Sequence, residues 1–110
     1  MRMKQVFKSI GLFLCMKEIN KDDLFVRSAA GENYFLLDVR EPWEHELFQI
    51  GGINIPLGDL LKRLKEVPQD EAIVVYCEKG IRSIIAIQRL EDLGYSNLIN
   101  LKGGIQAWRK

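Results

Sequence analysis

Residues 72–83 constrain the fold more than any other part of the chain, because a strand pattern runs directly into a cysteine and a glycine-containing loop. The run Ala-Ile-Val-Val-Tyr before Cys77 is typical of a central strand covered on both faces. Apolar side chains at helical spacing follow the loop and predict a buried helix face. They are Ile84, Ile85, Ile87, Leu90 and Leu93. Cys77 is therefore predicted at the carboxyl end of a parallel strand, where ligands usually bind in open α/β sheets.

The loop after Cys77 is predicted to favour a thiolate. Lys79 and Arg82 flank the cysteine and Glu78 opposes them in part, so the loop carries a net charge of +1, two bases minus one acid. Gly80 suits a turn whose backbone N–H groups converge on one point at the start of a helix. We expect Cys77 to ionise below the free thiol's value of about 8.5. The alternative is a small buried hydrophobe that ends a strand.

Composition leaves room for one domain and disfavours several classes of protein. The 110 residues are 47% hydrophobic with a net charge of +1, which allows a single core and lacks the charge excess of a nucleic-acid binder. Two cysteines cannot form a disulfide framework, and no Cys/His cluster has zinc spacing, so we expect neither a metal nor a cofactor. The single histidine, His45, lies between glutamates and is expected to be a solvated helix residue.

Residues 1–15 are expected to be an extension of uncertain structure before one domain at 16–110. Basic residues followed by Ile-Gly-Leu-Phe-Leu-Cys imitate a signal peptide. The apolar run is shorter than the roughly 7 to 15 residues of such a segment, lacks a cleavage site and cannot span a bilayer. We expect a cytoplasmic protein without a membrane partner. Cys15 is expected to be a small buried residue or an incidental thiol, with a resolving thiol for Cys77 as a third option.

From residue 16 onward, strand and helix patterns alternate with short connections, which predicts an α/β fold with a mainly parallel sheet. Strands are predicted at 17–19, 34–39, 53–55, 72–76 and 98–101. Helices are predicted at 21–30 after the N-cap Asn20, from Pro42, at 58–67 and at 84–93, before a last turn carrying Trp108. Within 58–67, a buried stripe of Leu60, Leu61 and Leu64 is expected. Trp43 and Trp108 are expected to anchor packing or to help dock a partner.

Four motifs, in order along the chain, resemble a single-domain rhodanese over about residues 16–108. They are Asp38-Val39-Arg40-Glu41, Asn54-Ile55-Pro56-Leu57, Tyr76-Cys77 with Gly80 and Arg82-Ser83, and Gly103-Gly104-Ile105-Gln106-Ala107-Trp108. The resemblance implies a rhodanese-like α/β fold, a mainly parallel sheet of about five strands with helices on both faces. One departure is residues 47–52, which read Leu-Phe-Gln-Ile-Gly-Gly where the family often has Gly-His-Ile-Pro-Gly-Ala.

The resemblance also implies a thiosulfate sulfurtransferase. Cys77 would take a sulfane sulfur from a small anionic donor as a persulfide and pass it to cyanide or a biological thiol. The implied active-site loop, whose backbone N–H groups hold the persulfide, consists of Glu78, Lys79, Gly80, Ile81, Arg82 and Ser83. Arg82 and Lys79 are candidates for receiving the donor, and a structural ion pair is the alternative for Arg82. Asp38 and Arg40 are expected to organise the neighbouring strand end.

Two other functions remain open from the sequence. Phosphatases of the same fold place five residues between cysteine and arginine, whereas four lie between Cys77 and Arg82, which disfavours a loop around a phosphoryl group. A non-catalytic or sulfur-carrier domain that receives sulfur from a partner protein is the stronger alternative. The expected partners are therefore a thiol acceptor or a sulfur-carrier protein, with no nucleic acid.

Overall fold

A computed structural model describes residues 16–110, so the expectations for residues 1–15, Cys15 included, lie outside the described residues. Five strands form one sheet in which every neighbouring pair is parallel. They are β1 (Glu18–Ile19), β2 (Phe35–Asp38), β3 (Ile53–Asn54), β4 (Ile73–Tyr76) and β5 (Leu98–Leu101), in the order β1-β5-β4-β2-β3. The predicted α/β fold is confirmed, and β4, which leads to Cys77, is the central strand.

Within residues 16–110, three α-helices connect strands, α1 (Lys21–Ala29), α2 (Pro42–Leu47) and α3 (Ile81–Asp92), and a fourth, α4 (Gly104–Trp108), follows β5. Asn20 caps α1 as predicted, since its side chain accepts a 2.8 Å hydrogen bond from the Asp23 N–H. Pro42 occupies the first turn of α2, where its missing N–H is not needed. Within residues 16–110, none of the helices is long and apolar enough to cross a bilayer.

The core lies on both faces of the sheet, because alternate strand residues point in opposite directions. Ile73, Val75 and Cys77 pack on the face that α3 covers. Val74 and Tyr76 pack on the opposite face, with residues of α1 and α4. Burial on both sides explains why the β4 sequence is apolar throughout and does not alternate.

The prediction of an amphipathic α-helix at 58–67 is wrong. The chain instead forms two 3-10 segments, Leu57–Asp59 and Leu61–Glu66, with non-helical dihedrals at Arg63. Side chains three residues apart align in a 3-10 turn, and two such pairs pack on the core, Leu57 with Leu60 and Leu64 with Val67. Leu61 falls outside this spacing and is 60% exposed, contrary to the expected stripe.

Two smaller expectations also need revision, the bounds of α3 and the packing role of Trp43, whereas Trp108 does pack. α3 begins at Ile81, three residues earlier than its apolar pattern indicated, and ends at Asp92, so that Leu93 lies beyond it and is exposed. Trp43 is 64% exposed and is not a packing anchor. Trp108 is partly buried and stacks on Phe25, with 5.2 Å between ring centroids.

Candidate active site

The Cys77 sulfur is buried where β4 ends and receives two backbone hydrogen bonds. The Gly80 N–H donates to Sγ at 3.1 Å and the Ser83 N–H at 3.3 Å. Gly80 makes this possible with φ 93°, a left-handed conformation that favours glycine, directly before α3. Both N–H groups point the positive ends of their dipoles at the sulfur, as backbone groups do in anion-binding loops.

The first turn of α4 packs against this loop and donates hydrogen bonds to its carbonyl groups. The Ile105 N–H donates to the Cys77 carbonyl and the Gln106 N–H to the Glu78 carbonyl, each at 2.9 Å. Gly104 has φ 62°, and a Cβ there would stand 2.5 Å from the Cys77 carbonyl oxygen. Gly104 therefore lets α4 approach the loop closely enough to bind its carbonyl groups.

The neighbouring strand β2 ends in a buried ion pair between Asp38 and Arg40. The Arg40 Nε and Nη2 atoms donate to the Asp38 carboxylate at 2.9 to 3.2 Å, and the Arg40 N–H adds a bond at 2.9 Å. Arg40 Nη2 also donates to the Phe48 carbonyl, and Nη1 to Glu78 at 3.3 Å. Burial acts to lower the pKa of Arg40, but the hydrogen bonds and charge of Asp38 raise it above its ordinary value.

Two further side chains fix the backbone at this strand end. Asn54 Nδ2 donates to the carbonyls of Asp38 at 3.0 Å and Arg40 at 2.8 Å. Tyr76 donates its hydroxyl proton to the Gly51 carbonyl at 2.9 Å. Burial, followed by the Asp38 charge, raises the pKa of Tyr76 to about 12, so the phenol is a neutral donor. Asp38 and Arg40 thus bind each other and the surrounding backbone at the strand end, and their role as organisers of this strand end stays a prediction.

α2 joins the two strand ends. Glu44 accepts two hydrogen bonds from Arg82, at 2.7 and 2.9 Å, and these bonds lower the pKa of Glu44. His45 Nδ1 lies 2.8 Å from Asp38 Oδ2. The expectation of a solvated His45 is wrong, because its ring turns inward to the buried carboxylate and keeps 23% of its side-chain surface exposed.

The three charged side chains of the loop differ in how they are paired. Glu78 accepts from Arg109 and Arg40, and the hydrogen bond from Arg109 is the main cause of its lowered pKa. Arg82 is committed to Glu44. Lys79 is exposed and forms no ion pair with any of residues 16–110. Arg82 thus forms the structural ion pair that was the alternative to a role in binding the donor. Lys79 has no such partner among residues 16–110 and is available to contact an anion.

A cleft of about 200 Å³ opens beside the cysteine. Its lining residues are Cys77, Glu78, Lys79, Ile81 and Arg82. Sites for drug-sized ligands usually exceed about 300 Å³, so this cleft suits a small anion or the tip of a chain. Ser83 is buried next to the cysteine, with Oγ 3.4 Å from the Cys77 sulfur and 2.5 Å from Asn100 Oδ1.

Residues 77–83, which the sequence predicts to form one active-site loop, lie together beside the cleft, and that role stays a prediction. The side chains from other elements that surround them were not predicted. Glu44, Arg109, Asn100 and Glu18 each reach the loop residues, directly or through one neighbour. They lie 17 or more positions from those partners along the chain. One signal was available: Asn100 is a polar residue at an inward position of an apolar strand, and buried polar groups need a partner.

Comparison with known proteins agrees with this geometry. The family model for the rhodanese-like domain matches residues 21–110. A sulfurtransferase of Allochromatium vinosum is 35% identical over 86% of this chain and 90% of its own length.

The chain belongs to the rhodanese-like sulfurtransferase family. A structural relative, a rhodanese-related protein from Thermoplasma volcanium, superposes with a TM-score of 0.75 at 38% identity, covering 84% of this chain and 90% of that one. The putative sulfur carrier protein YrkF of Bacillus subtilis is 33% identical over 83% of this chain, which spans half of that protein's length. The resemblance inferred from four motifs is therefore confirmed.

Proposed function

We propose that this rhodanese-like protein is a sulfurtransferase in which Cys77 carries the sulfur as a persulfide. The observation that carries the proposal is the pair of N–H groups, from Gly80 and Ser83, directed at a cysteine sulfur beside a small open cleft. Such a seat favours a sulfur that is anionic when it attacks and anionic again when it leaves.

The first half-reaction loads the cysteine. The Cys77 thiolate attacks the outer sulfur of thiosulfate, a new S–S bond forms, and the S–S bond of the donor breaks with its electron pair leaving on sulfite. The attack itself requires no general base, because the attacking group is the thiolate form of Cys77 and sulfite is a good leaving group. The position of His45 on Asp38 is consistent with this route, since the histidine is engaged with the strand end.

The second half-reaction unloads the cysteine. Cyanide or a thiolate attacks the outer persulfide sulfur, and the bond to Cys77 breaks with its electron pair returning to Sγ. The two N–H groups then stabilise the regenerated thiolate. Electrons balance over the cycle, so the reaction calls for no cofactor.

Lys79 is our candidate for attracting an anionic donor. It is the exposed cation of the cleft without an ion-pair partner among the described residues. Arg82 faces the same cleft, but Glu44 neutralises it through two hydrogen bonds. Arg82 would therefore contact a donor while it stays hydrogen-bonded to Glu44 of α2.

Turnover of thiosulfate and cyanide by the Cys77→Ser variant tests the proposal. We expect thiocyanate formation by the native chain and its loss in Cys77→Ser, with Cys15→Ser as the matched control that keeps activity. Undiminished turnover in Cys77→Ser would overturn the assignment. A changed turnover in Cys15→Ser would instead assign that thiol a role in resolving the persulfide.

A protein-borne donor is the second candidate. The burial of Cys77, the neutralised Arg82 and a relative named as a putative sulfur carrier all favour delivery by a partner's persulfide over capture of free thiosulfate. Loading of Cys77 by a cysteine desulfurase and by thiosulfate can be compared at equal concentrations. Much faster loading by the desulfurase would identify the chain as a carrier, and equal or slower loading would reject that role. A non-catalytic binding domain predicts loading by neither.

A phosphatase remains disfavoured, because Arg82 is occupied by Glu44 and four residues separate it from Cys77. Absence of aryl phosphate hydrolysis is the expected result. We place the sulfurtransferase in the cytoplasm as part of the same proposal, since persulfide exchange needs thiols that stay reduced.

A further inference from the structure

The buried hydroxyl of Ser83 lies in a line of polar groups that runs from the Cys77 sulfur to the protein surface. Ser83 Oγ is 3.4 Å from Sγ and 2.5 Å from Asn100 Oδ1, and Asn100 Nδ2 is 3.4 Å from Glu18 Oε2. Ser83 and Asn100 are buried, whereas Glu18 is exposed at β1. The line therefore connects the reactive sulfur to a carboxylate on the edge strand of the sheet.

The direction of each hydrogen bond in this line is fixed by Glu18. A carboxylate accepts and does not donate, so the Asn100 atom that faces it must be the amide nitrogen. The Asn100 oxygen then faces Ser83 and can only accept. The single proton of the Ser83 hydroxyl is consequently used on Asn100, and its oxygen presents a lone pair to the Cys77 sulfur.

This direction of the Ser83 hydrogen bond suits the thiol and the persulfide of Cys77 better than the thiolate. A protonated thiol can donate to the Ser83 oxygen, and every group in the line is then satisfied. A bare thiolate faces a lone pair, and Ser83 can turn its proton to the sulfur only by leaving the buried Asn100 oxygen without a donor. In a persulfide, Sγ is neutral and needs no proton, so the line keeps its bonds.

We propose that Glu18 and Asn100 are positioning residues that set the proton direction of Ser83 and thereby favour a neutral Cys77 sulfur, thiol or persulfide, over the bare thiolate. They oppose the Gly80 and Ser83 N–H groups, which favour the thiolate. The resting cysteine is thus ionised less often than its two N–H donors alone would make it. The persulfide part of the inference rests on the proposed function, whereas the thiol part depends only on the geometry.

Other charges near the sulfur do not share this mechanism. Lys79, Glu78 and Arg82 line the cleft, Glu44 from α2 neutralises Arg82, and Arg109 from the end of α4 pairs with Glu78. Their effect on the thiolate acts through space and stays the same when Ser83 or Asn100 is replaced. Glu18 also acts through space as a charge, but the part of its contribution that passes through hydrogen bonds is lost when the line is cut.

The test measures the rate at which iodoacetamide alkylates Cys77 across a range of pH, in a Cys15→Ser background that leaves one thiol. Glu18→Lys replaces an acceptor by a donor, which reverses the line so that Ser83 donates to the sulfur. We expect about three- to tenfold faster alkylation below neutral pH, with the pH profile moved to lower pH. Glu18→Gln, which allows both directions, should give a smaller shift of the same sign. Because alkylation needs no sulfur donor, this result is independent of whether the sulfurtransferase proposal holds.

Two controls make the result specific. Glu71→Lys makes the same charge change at an exposed residue beyond the opposite end of β4, and we expect an unaltered profile. Asn100→Leu cuts the line at its middle and frees the Ser83 proton for the sulfur, so in that background Glu18→Lys should add only its smaller through-space effect. Ser83→Ala cuts the line at the sulfur and should also reduce the Glu18→Lys shift to that through-space effect. A Glu18→Lys shift that persists undiminished in both backgrounds, or an absent shift in the native background, would overturn the proposal.

Discussion

The carboxyl ends of β2 and β4 lie side by side, yet they are built from different interactions. The β2 end is held by full charges, with Arg40 bound to Asp38, Glu78 and the Phe48 carbonyl. The β4 end is held by neutral backbone groups, namely two N–H donors on the Cys77 sulfur and two more, from α4, on the loop carbonyls. The paired charges hold the backbone at the β2 end in one position. The N–H dipoles at the β4 end stabilise the Cys77 sulfur without a fixed counter-charge, so the sulfur can gain or lose charge during the reaction.

The largest effect is expected from Arg40→Met at the β2 end. The substitution leaves the buried Asp38 carboxylate without its main partner, which should cost about 3 to 5 kcal/mol of unfolding free energy. Urea denaturation measures this cost. Arg63→Met removes an exposed ion pair with Glu66 and serves as the matched control, with almost no change expected. Equal losses in the two variants would mean that the β2 end does not depend on its buried charges.

Gly104→Ala tests the support behind the β4 end. Gly104 and Gly94 both have positive φ, 62° and 98°, but a Cβ at Gly104 would meet the Cys77 carbonyl oxygen at 2.5 Å while one at Gly94 meets nothing within 4 Å. We expect Gly104→Ala to destabilise the protein by roughly 2 kcal/mol more than Gly94→Ala. It should also slow loading of Cys77 with sulfur. If both variants load at the same rate, α4 does not position the loop.

Much of this arrangement follows from local sequence patterns. The apolar run before Cys77, the glycine at position 80 and the alternation of elements predict the central strand, the loop and the parallel sheet, because they depend on neighbours along the chain. The Glu44–Arg82 and His45–Asp38 contacts depend on how α2 is oriented on the sheet edge. That orientation comes from packing and from the Phe48 carbonyl on Arg40, which no local pattern encodes.

Lys79→Met tests whether the cleft uses a free charge. We expect the KM for thiosulfate to rise about two- to fivefold with kcat nearly unchanged, and the salt dependence of kcat/KM to weaken, because an exposed charge acts mainly on encounter. Lys62→Met, at an exposed lysine outside the cleft, is the control. An unchanged KM and salt dependence would show that the donor does not meet Lys79.

The smallest effect is expected from the ion pair between Glu44 and Arg82, which links α2 to the loop at the β4 end. Arg82 lowers the pKa of Glu44, so the stability that this carboxylate contributes is present above the ordinary value of 4.5 and is lost as the pH falls through its lower folded-state value. Glu44→Gln should flatten the acid side of the stability profile measured by urea denaturation at a series of pH values. Glu46→Gln, on the exposed side of α2, should leave the slope as in the native chain. A slope that is the same in both variants would show that Glu44 does not contribute to the loss of stability in acid.

The most direct test of the central claim is intact-protein mass spectrometry of the native chain and Cys77→Ser, before and after thiosulfate, with cyanide added last. We expect the native chain to gain the mass of about one sulfur atom, cyanide to remove that sulfur, and Cys77→Ser to gain none. A sulfur gain that persists in Cys77→Ser, or no gain in the native chain with either thiosulfate or a protein persulfide, would contradict it.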